Sequence, residues 1–406
     1  AKILCGCVKK EAADLLLRCG QVGVAVPGGA EAMVYAAKRT LQLWRQSSGD
    51  GPRVLFKGDF KNAFNLVDRT AVLRAVHDGM PVLQRYAVCA YSTPSVLLFG
   101  DEFLKSSAGV HQGDPLGPLF FSLAIALLWR EVRRRLDATG LHLDFAGWYL
   151  DDAAFGGNVL AVRFVVDAIS ELGPRFGLHF NPAKCEFIGD LARQEAVMAA
   201  MPAGFGAFQS SDDWQLLGTP CGSEDSVASF LRRVGENANR KTRLVASLPE
   251  SHVAYALLRY CCGFGLGVYY MRACGPHDVW RLIDDATFEA VAGLVPGITV
   301  DCRRQVEFAT SLGGLGFRPL EPHAPIAYVA ATMVAASYLP HLVANSSCLP
   351  GDVTLARSLA APSVDAWGRT YIRSRSRRHG RHGQPDAAAR RRVRTVRSGR
   401  GPACGR

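Results

Sequence analysis

A chain of 406 residues, 49% hydrophobic and 20% charged, has the composition of a folded protein of two or three units and excludes a disordered or fibrous one. Its longest apolar stretch, residues 115–129, falls short of the roughly 20 residues that span a bilayer, so a membrane protein is not expected. The net charge of +11 belongs to the end of the chain: residues 369–406 hold 13 Arg, no Lys and one acid, Asp386, which leaves the first 368 residues near −1. The body is electrostatically neutral, and the tail has too few apolar residues to fold. Twelve cysteines are scattered without Cys-x-x-Cys or zinc-knuckle spacing, and free thiols in a reducing compartment are the simplest reading. Residue one is Ala rather than Met, and no basic segment with a following apolar run opens the chain, so a fragment is expected.

In chain order, residues 22–29 read as a loop and residues 30–44 as a helix by apolar recurrence. Residues 53–56 form a β-type run that ends at Gly58-Asp59, followed by helical recurrence from Ala63 to Val76. Residues 95–99 and 103–107 flank Gly100-Asp101 as a hairpin. A loop over 109–118 leads to a long helix over 119–136, apolar first and then basic, as suits a helix C-terminus. Residues 141–150 and 153–157 predict a hairpin whose turn is Asp151-Asp152. Helix follows to about Phe176, short strands are expected at 180–188 and 214–220, and helices at 227–248, 251–271 and 277–294. The second half is thus largely helical.

Asp59, Asp151 and Asp152 each fall where a predicted strand meets a turn. Carboxylates clustered on strand ends are hard oxygen ligands for Mg²⁺, which takes a few carboxylates plus substrate phosphates rather than a full protein cage. Two such ions can activate a hydroxyl and stabilise a leaving pyrophosphate. Against this stands ordinary turn chemistry, since Asp is common in turns.

Order and context decide between them. Asp59-Phe60-Lys61-Asn62-Ala63-Phe64, then Gln112-Gly113-Asp114-Pro115-Leu116-Gly117-Pro118, then Tyr149-Leu150-Asp151-Asp152 closely resemble the palm motifs of reverse transcriptases, particularly those of non-LTR (LINE-type) retrotransposons. Residues 177–185 resemble the fourth palm motif of that family, and Leu216-Leu217-Gly218 its primer grip. The resemblance covers residues 21–222, and more loosely the helical region to about residue 322. It implies an α+β fold: a right-hand polymerase palm, an antiparallel sheet backed by helices, with partial fingers (1–52), palm (53–222) and a helical thumb (223–322). A helical C-terminal extension (323–368) and the Arg-rich tail (369–406) would follow.

The resemblance implies RNA-directed DNA synthesis with an RNA template, a DNA primer and deoxynucleoside triphosphates as partners, two Mg²⁺ ions with Mn²⁺ as substitute, and a nuclear location. Position by position, Asp59 and Asp151 would hold the ions and Asp152 would be the third carboxylate. Phe64 would exclude a 2′-hydroxyl, although a core role for its ring is also open. Gln112, Gly113 and Tyr149 would line the nucleotide site, and Gly113 would permit close backbone approach. Lys184 would protonate departing pyrophosphate, with a solvated loop lysine as the plain alternative, and Leu217 and Gly218 would hold the primer. Gly313-Gly314-Leu315-Gly316-Phe317-Arg318 resembles a segment common after the palm, and the sequence assigns it no chemical role.

Departures are also plain. The strands that carry basic triphosphate-binding residues upstream of Gln21 are missing, Lys38 and Arg39 read as solvated, and no endonuclease, ribonuclease H domain or zinc knuckle is present, as in a truncated copy. An RNA-dependent RNA polymerase is disfavoured by Phe64 and Tyr149-Leu150-Asp151-Asp152, and a catalytically inactive remnant is the remaining alternative. The tail reads as a phosphate-binding arm or as an accidental extension. Deleting residues 369–406 discriminates between them. Each phosphate that an arm neutralises adds roughly 0.7 to 0.9 to the log–log salt slope of RNA binding, so deleting an arm should flatten the slope, whereas deleting an extension leaves it unchanged in a binding titration.

Overall fold

The computed structural model describes residues 1–46 and 51–344; the Arg-rich tail and most of the expected C-terminal extension lie outside the described residues. The chain opens with a helix not anticipated from the sequence, Lys2–Leu17 (α1), which buries Val8, Ala12 and Leu16 at four-residue spacing, one stripe of a helix. Gly29–Gln46 (α2) and the strand Arg53–Gly58 (β1) follow as predicted. The helical recurrence after β1 is two helices, Ala63–Leu66 (α3) and Arg69–Gly79 (α4). Asp68 separates them because its backbone is extended and its carboxylate caps α4, accepting the Ala71 N–H at 2.8 Å, one of the donors a helix start leaves unpaired.

Gln84–Tyr91 (α5) leads to the hairpin Ser95–Phe99 (β2) and Glu102–Ser106 (β3), then to the long helix Gly117–Asp137 (α6). The next elements are Leu143–Tyr149 (β4), Asp152–Asn158 (β5), Val159–Leu172 (α7), Glu186–Gly189 (β6), Gln194–Ala200 (α8), Ala207–Ser210 (β7), Gln215–Leu216 (β8) and Thr219–Pro220 (β9). The principal sheet has the order β4-β5-β1-β6-β7. Its first four strands pair antiparallel, but β6 and β7 run parallel, so the sheet is mixed and not antiparallel as expected. The connection through α8 crosses over instead of turning back, which is what parallel neighbours require. The strand expected over 180–188 shrinks to β6, with Phe180 reduced to a single bridge to Phe60.

β1 shows why the sheet lies at the centre. Val54, Leu55 and Phe56 are all fully buried, the mark of a strand covered on both faces. Val54 and Phe56 enter the core built with α6 and α7. Leu55 enters a second core with α2, where Ala154 and Ile188 of the neighbouring strands join it. Phe155 of β5 stacks on Trp129 at 4.8 Å between ring centres and meets Trp148 edge-on at 5.2 Å.

Glu224–Ala246 (α9), Ser251–Cys261 (α10), Phe264–Cys274 (α11) and Val279–Leu294 (α12) build the helical second half, with Arg303–Glu307 (α13) and Ala324–Leu342 (α14) after them. The single helix expected over 251–271 breaks at Gly263, whose φ of +50° only glycine takes freely; a Cβ there would meet Thr287 Oγ1 at 3.0 Å. α14 returns to pack on α2, and Ala335, Leu339 and Leu342 complete the second core of the sheet. Gly313-Gly314-Leu315-Gly316-Phe317-Arg318 contributes buried Phe317 to a helical core with Leu258 and Val306. Among the described residues no helix is long and apolar enough to cross a membrane, and ten cysteines are free thiols.

Phe155→Ala removes the ring shared by these aromatic contacts and should cost about 3–5 kcal/mol, read as a lower denaturant midpoint with an unchanged slope.

Candidate active site

β4 and β5 end in a two-residue connection. Tyr149 pairs with Asp152, so the turn is Leu150-Asp151 and Asp152 is the first residue of β5, not the second turn residue expected. Two-residue hairpins need a positive φ that matches the twist of the strands; Leu150 supplies it at +58°, a conformation uncommon for non-glycine residues. On the other edge of β5, Gly58 pairs with Ala153, which sets Asp59 at the level of Asp152. Asp59 thus arrives at the end of the sheet that bears Asp151 and Asp152, about 90 residues away in the chain.

They repel one another there. Burial and then the charge of Asp59 raise the Asp151 carboxyl above the usual range. Asp152 is pushed up to about 6, by surrounding protein first and the charges of Asp151 and Asp59 after it, with Lys57 opposing. Asp152 is nevertheless exposed as a residue, so water screens part of this effect. Lys57 itself bridges to Glu186 at 3.1 Å, which leaves the cluster short of cation. Among the described residues no group of three or more His, Cys, Asp or Glu side chains is placed to hold a metal ion. Asp59 and Asp151 offer the one or two hard carboxylates with which Mg²⁺ is content when phosphates and water fill its other positions.

The turn that bears Lys184 is tied to Asp59 through the backbone. The Asn181 N–H donates to the Asp59 carbonyl at 2.8 Å, and the Asp59 N–H reaches the buried Cys185 thiol at 3.5 Å. Lys184 itself is exposed. Phe60 stacks on Phe180 at 4.6 Å and so closes the same two segments from the apolar side.

Phe64 is half-buried, with its ring stacked on Phe121 of α6 at 4.2 Å and 17°, so core packing holds the ring while part of the residue stays accessible. Its carbonyl accepts the Val110 N–H at 2.9 Å, which brings the loop of Gln112 and Gly113 alongside. Both are exposed, and Gly113 has φ +95° with no atom within 4 Å of an added Cβ. Sequence reasoning missed the network behind this loop. The Asp114 carboxylate accepts from Tyr91 at 2.7 Å, Tyr86 at 3.1 Å and the Leu116 N–H at 3.0 Å. The buried Arg69 guanidinium donates to the carbonyls of Gly109 at 2.9 Å and Ser106 at 2.8 Å. Only Asp114 lay in a motif; nothing in the sequence marks Arg69.

At the primer-grip segment, Leu217 and Gly218 have φ of +49° and +73° and join β8 to β9, the turn type two-residue hairpins favour. The expected strand over 214–220 is therefore itself a hairpin. Tyr269 of α11 donates its hydroxyl to the Leu217 carbonyl at 3.0 Å, and burial above all pushes that hydroxyl up to about 12, with the half-buried Tyr149 among the smaller influences. Lys38 is half-buried rather than solvated, and Arg39 donates to Gln42 at 2.9 Å.

Two outcomes follow for stability. A raised Asp152 value means the folded state prefers the protonated acid, so its charge opposes folding above pH 6 and ceases to matter below about 4. Asp152→Asn should raise Tm by on the order of 1–2 °C at pH 8, and the gap should close as pH falls from 6 to 4. Millimolar Mg²⁺ or Mn²⁺ should raise the Tm of the parent but not that of Asp59→Asn or Asp151→Asn.

No protein-family model and no curated protein sequence matches the chain. Among solved structures it is similar to apo telomerase from Candida tropicalis, at 12% identity and a TM-score of 0.46, over 83% of this chain and 60% of that one. It is also similar to telomerase from Candida albicans in complex with the TWJ fragment of telomeric RNA, at 9% identity and a TM-score of 0.43, over 82% of this chain and 53% of that one. The chain thus spans a little over half the length of these telomerase chains.

Proposed function

We propose that the chain is an RNA-directed DNA polymerase of the reverse-transcriptase type, of the branch found in non-LTR retrotransposons, and that it extends the 3′-hydroxyl of a DNA primer on an RNA template. The observation that carries this reading is the convergence of Asp59, Asp151 and Asp152 at one end of a central sheet, with Phe64 close by in chain on the β1 side. A mere pair of turn aspartates would not be matched in level by a third on another strand, nor feel its charge as Asp151 and Asp152 feel that of Asp59.

In this reading Asp59 and Asp151 hold Mg²⁺, which when bound supplies charge neutralisation for the primer hydroxyl and the triphosphate. The chain's own groups do the rest. Phe64, braced by Phe121, cannot retreat from an incoming sugar, so a 2′-hydroxyl is rejected by overlap. The exposed Gln112 and Gly113, on a loop stiffened by Asp114 and Arg69, present amide groups to the incoming nucleotide and template. Tyr149, at the end of β4, faces the same nucleotide site, and Lys184 gives a proton to departing pyrophosphate. The Leu217-Gly218 turn, anchored to the helical thumb by Tyr269, holds the primer end.

Primer extension on a poly(rA)/oligo(dT) substrate tests the reading. Asp59→Asn and Asp151→Asn should each lower metal-dependent extension by about 100-fold or more, and unchanged extension in either removes the metal-site assignment. RNA binding without extension in the parent favours an inactive remnant. Phe64→Val should raise ribonucleotide incorporation relative to deoxynucleotide by on the order of 10- to 100-fold, measured as a ratio of kcat/KM values; an unchanged ratio places the discrimination elsewhere.

A further inference from the structure

Gln21 is wholly buried, and its polar side chain has no part in the chemistry described above. It lies on a stretch that runs beside the outer edge of β4, where the Trp148 N–H donates to the Gly20 carbonyl at 2.9 Å and the Val22 N–H to the Trp148 carbonyl at 2.8 Å. From this edge the side-chain amide reaches the turn between β4 and β5. Its Nε2 donates to the Leu150 carbonyl at 3.1 Å, and its Oε1 accepts the N–H groups of Leu150 and Gly23, each at 2.9 Å. Both backbone groups of Leu150 therefore end on one side chain.

Leu150 is the residue that needs such help. At φ +58° its Cβ crowds the following carbonyl, and a leucine stays there only where its surroundings over-determine it. The turn can keep its two-residue length only while Leu150 holds that conformation, and the next residue is Asp151. A side chain that bridges an N–H and a C=O must donate and accept from one planar group. Glutamine does both; glutamate accepts without donating, and methionine of similar length does neither.

We propose that Gln21 is a positioning residue of the candidate polymerase centre, its buried amide clipping the left-handed Leu150 so that the turn presents Asp151 beside Asp59. The consequence for Asp151 rests on the polymerase reading; the clip itself does not. Nothing in the sequence marks it, because Gln21 and Leu150 meet only through the fold.

The experiment uses the full chain as parent, Gln21→Met, Gln21→Glu, and Gln21→Met combined with Leu150→Gly. Hydrogen exchange of the peptide that covers residues 148–153 reads the clip without any activity, because the Leu150 amide is bound to Gln21 Oε1. Steady-state primer extension, with kcat separated from the KM for deoxynucleotide, reads its consequence. In Gln21→Met the Leu150 amide should exchange at least about tenfold faster while β1 stays protected, and kcat should fall on the order of 100-fold with KM nearly unchanged. Adding Leu150→Gly should recover part of that kcat, since glycine takes the left-handed φ without strain, a rescue that general destabilisation would not show. If Gln21→Met does not fold, Gln21→Glu carries the test: it keeps the acceptor, loses the bond to the Leu150 carbonyl, and should show a smaller fall in kcat. Exchange and kcat equal to the parent in the folded variants overturn the clip; faster exchange with unchanged kcat overturns its positioning role. A parent without metal-dependent extension counts against the polymerase reading instead, and is told apart because exchange in Gln21→Met still changes.

Discussion

Antiparallel pairing of β1 with β5 puts Gly58 across from Ala153, and the candidate centre depends on that register. A slip of one residue would send the side chains of β1 to the opposite faces, carrying Phe56 out of the aromatic core and Asp59 away from the level of Asp152. The register is held from both sides: Phe56 and Phe155 enter one core while Leu55 and Ala154 enter the other. The division of apolar side chains between the two cores is therefore also what aligns the carboxylates. Packing and function share one constraint.

The cost of the arrangement is visible next to it. Like charges are gathered where burial and mutual repulsion raise two of the acids, and two of the four non-glycine residues with positive φ among the described residues, Leu150 and Leu217, sit in the β4–β5 and β8–β9 turns. Such strain persists only where the surroundings over-determine it. Here a side chain from a distant part of the chain meets each strained turn: Gln21 for Leu150 and Tyr269 for Leu217. The loop of Gln112 and Gly113 is backed in the same way, since Asp114 accepts from Tyr91 and Arg69 donates to the Gly109 carbonyl from behind. In that loop Gln112 and Gly113 are exposed, while Arg69 and Tyr91 behind them are buried.

Much of this was legible in the sequence because the information was local. Runs such as Arg53 to Phe56, the long apolar helix after Pro118 and the hairpin around Gly100 have periodicities that report one element at a time, and two of the ordered motifs supply the acids that β1 and β5 bring to one level. Local signals also misled where they were read too smoothly. The helical recurrence from Ala63 to Val76 conceals the cap at Asp68, the apolar run through 251–271 conceals the break at Gly263, and Asp152, taken for a turn residue, pairs with Tyr149.

What the sequence determined by itself is the set of chemical groups and most of the elements that carry them, because residue type and short-range periodicity are properties of neighbours in the chain. What only the tertiary structure decided is every relation between distant segments. The parallel addition of β7 to the sheet, the return of α14 onto α2, the burial of Arg69 against the Gly109 carbonyl, and the meeting of Gln21 with Leu150 leave no local pattern. Each is fixed by where buried backbone groups and buried side chains find partners, a condition that only the assembled chain can satisfy.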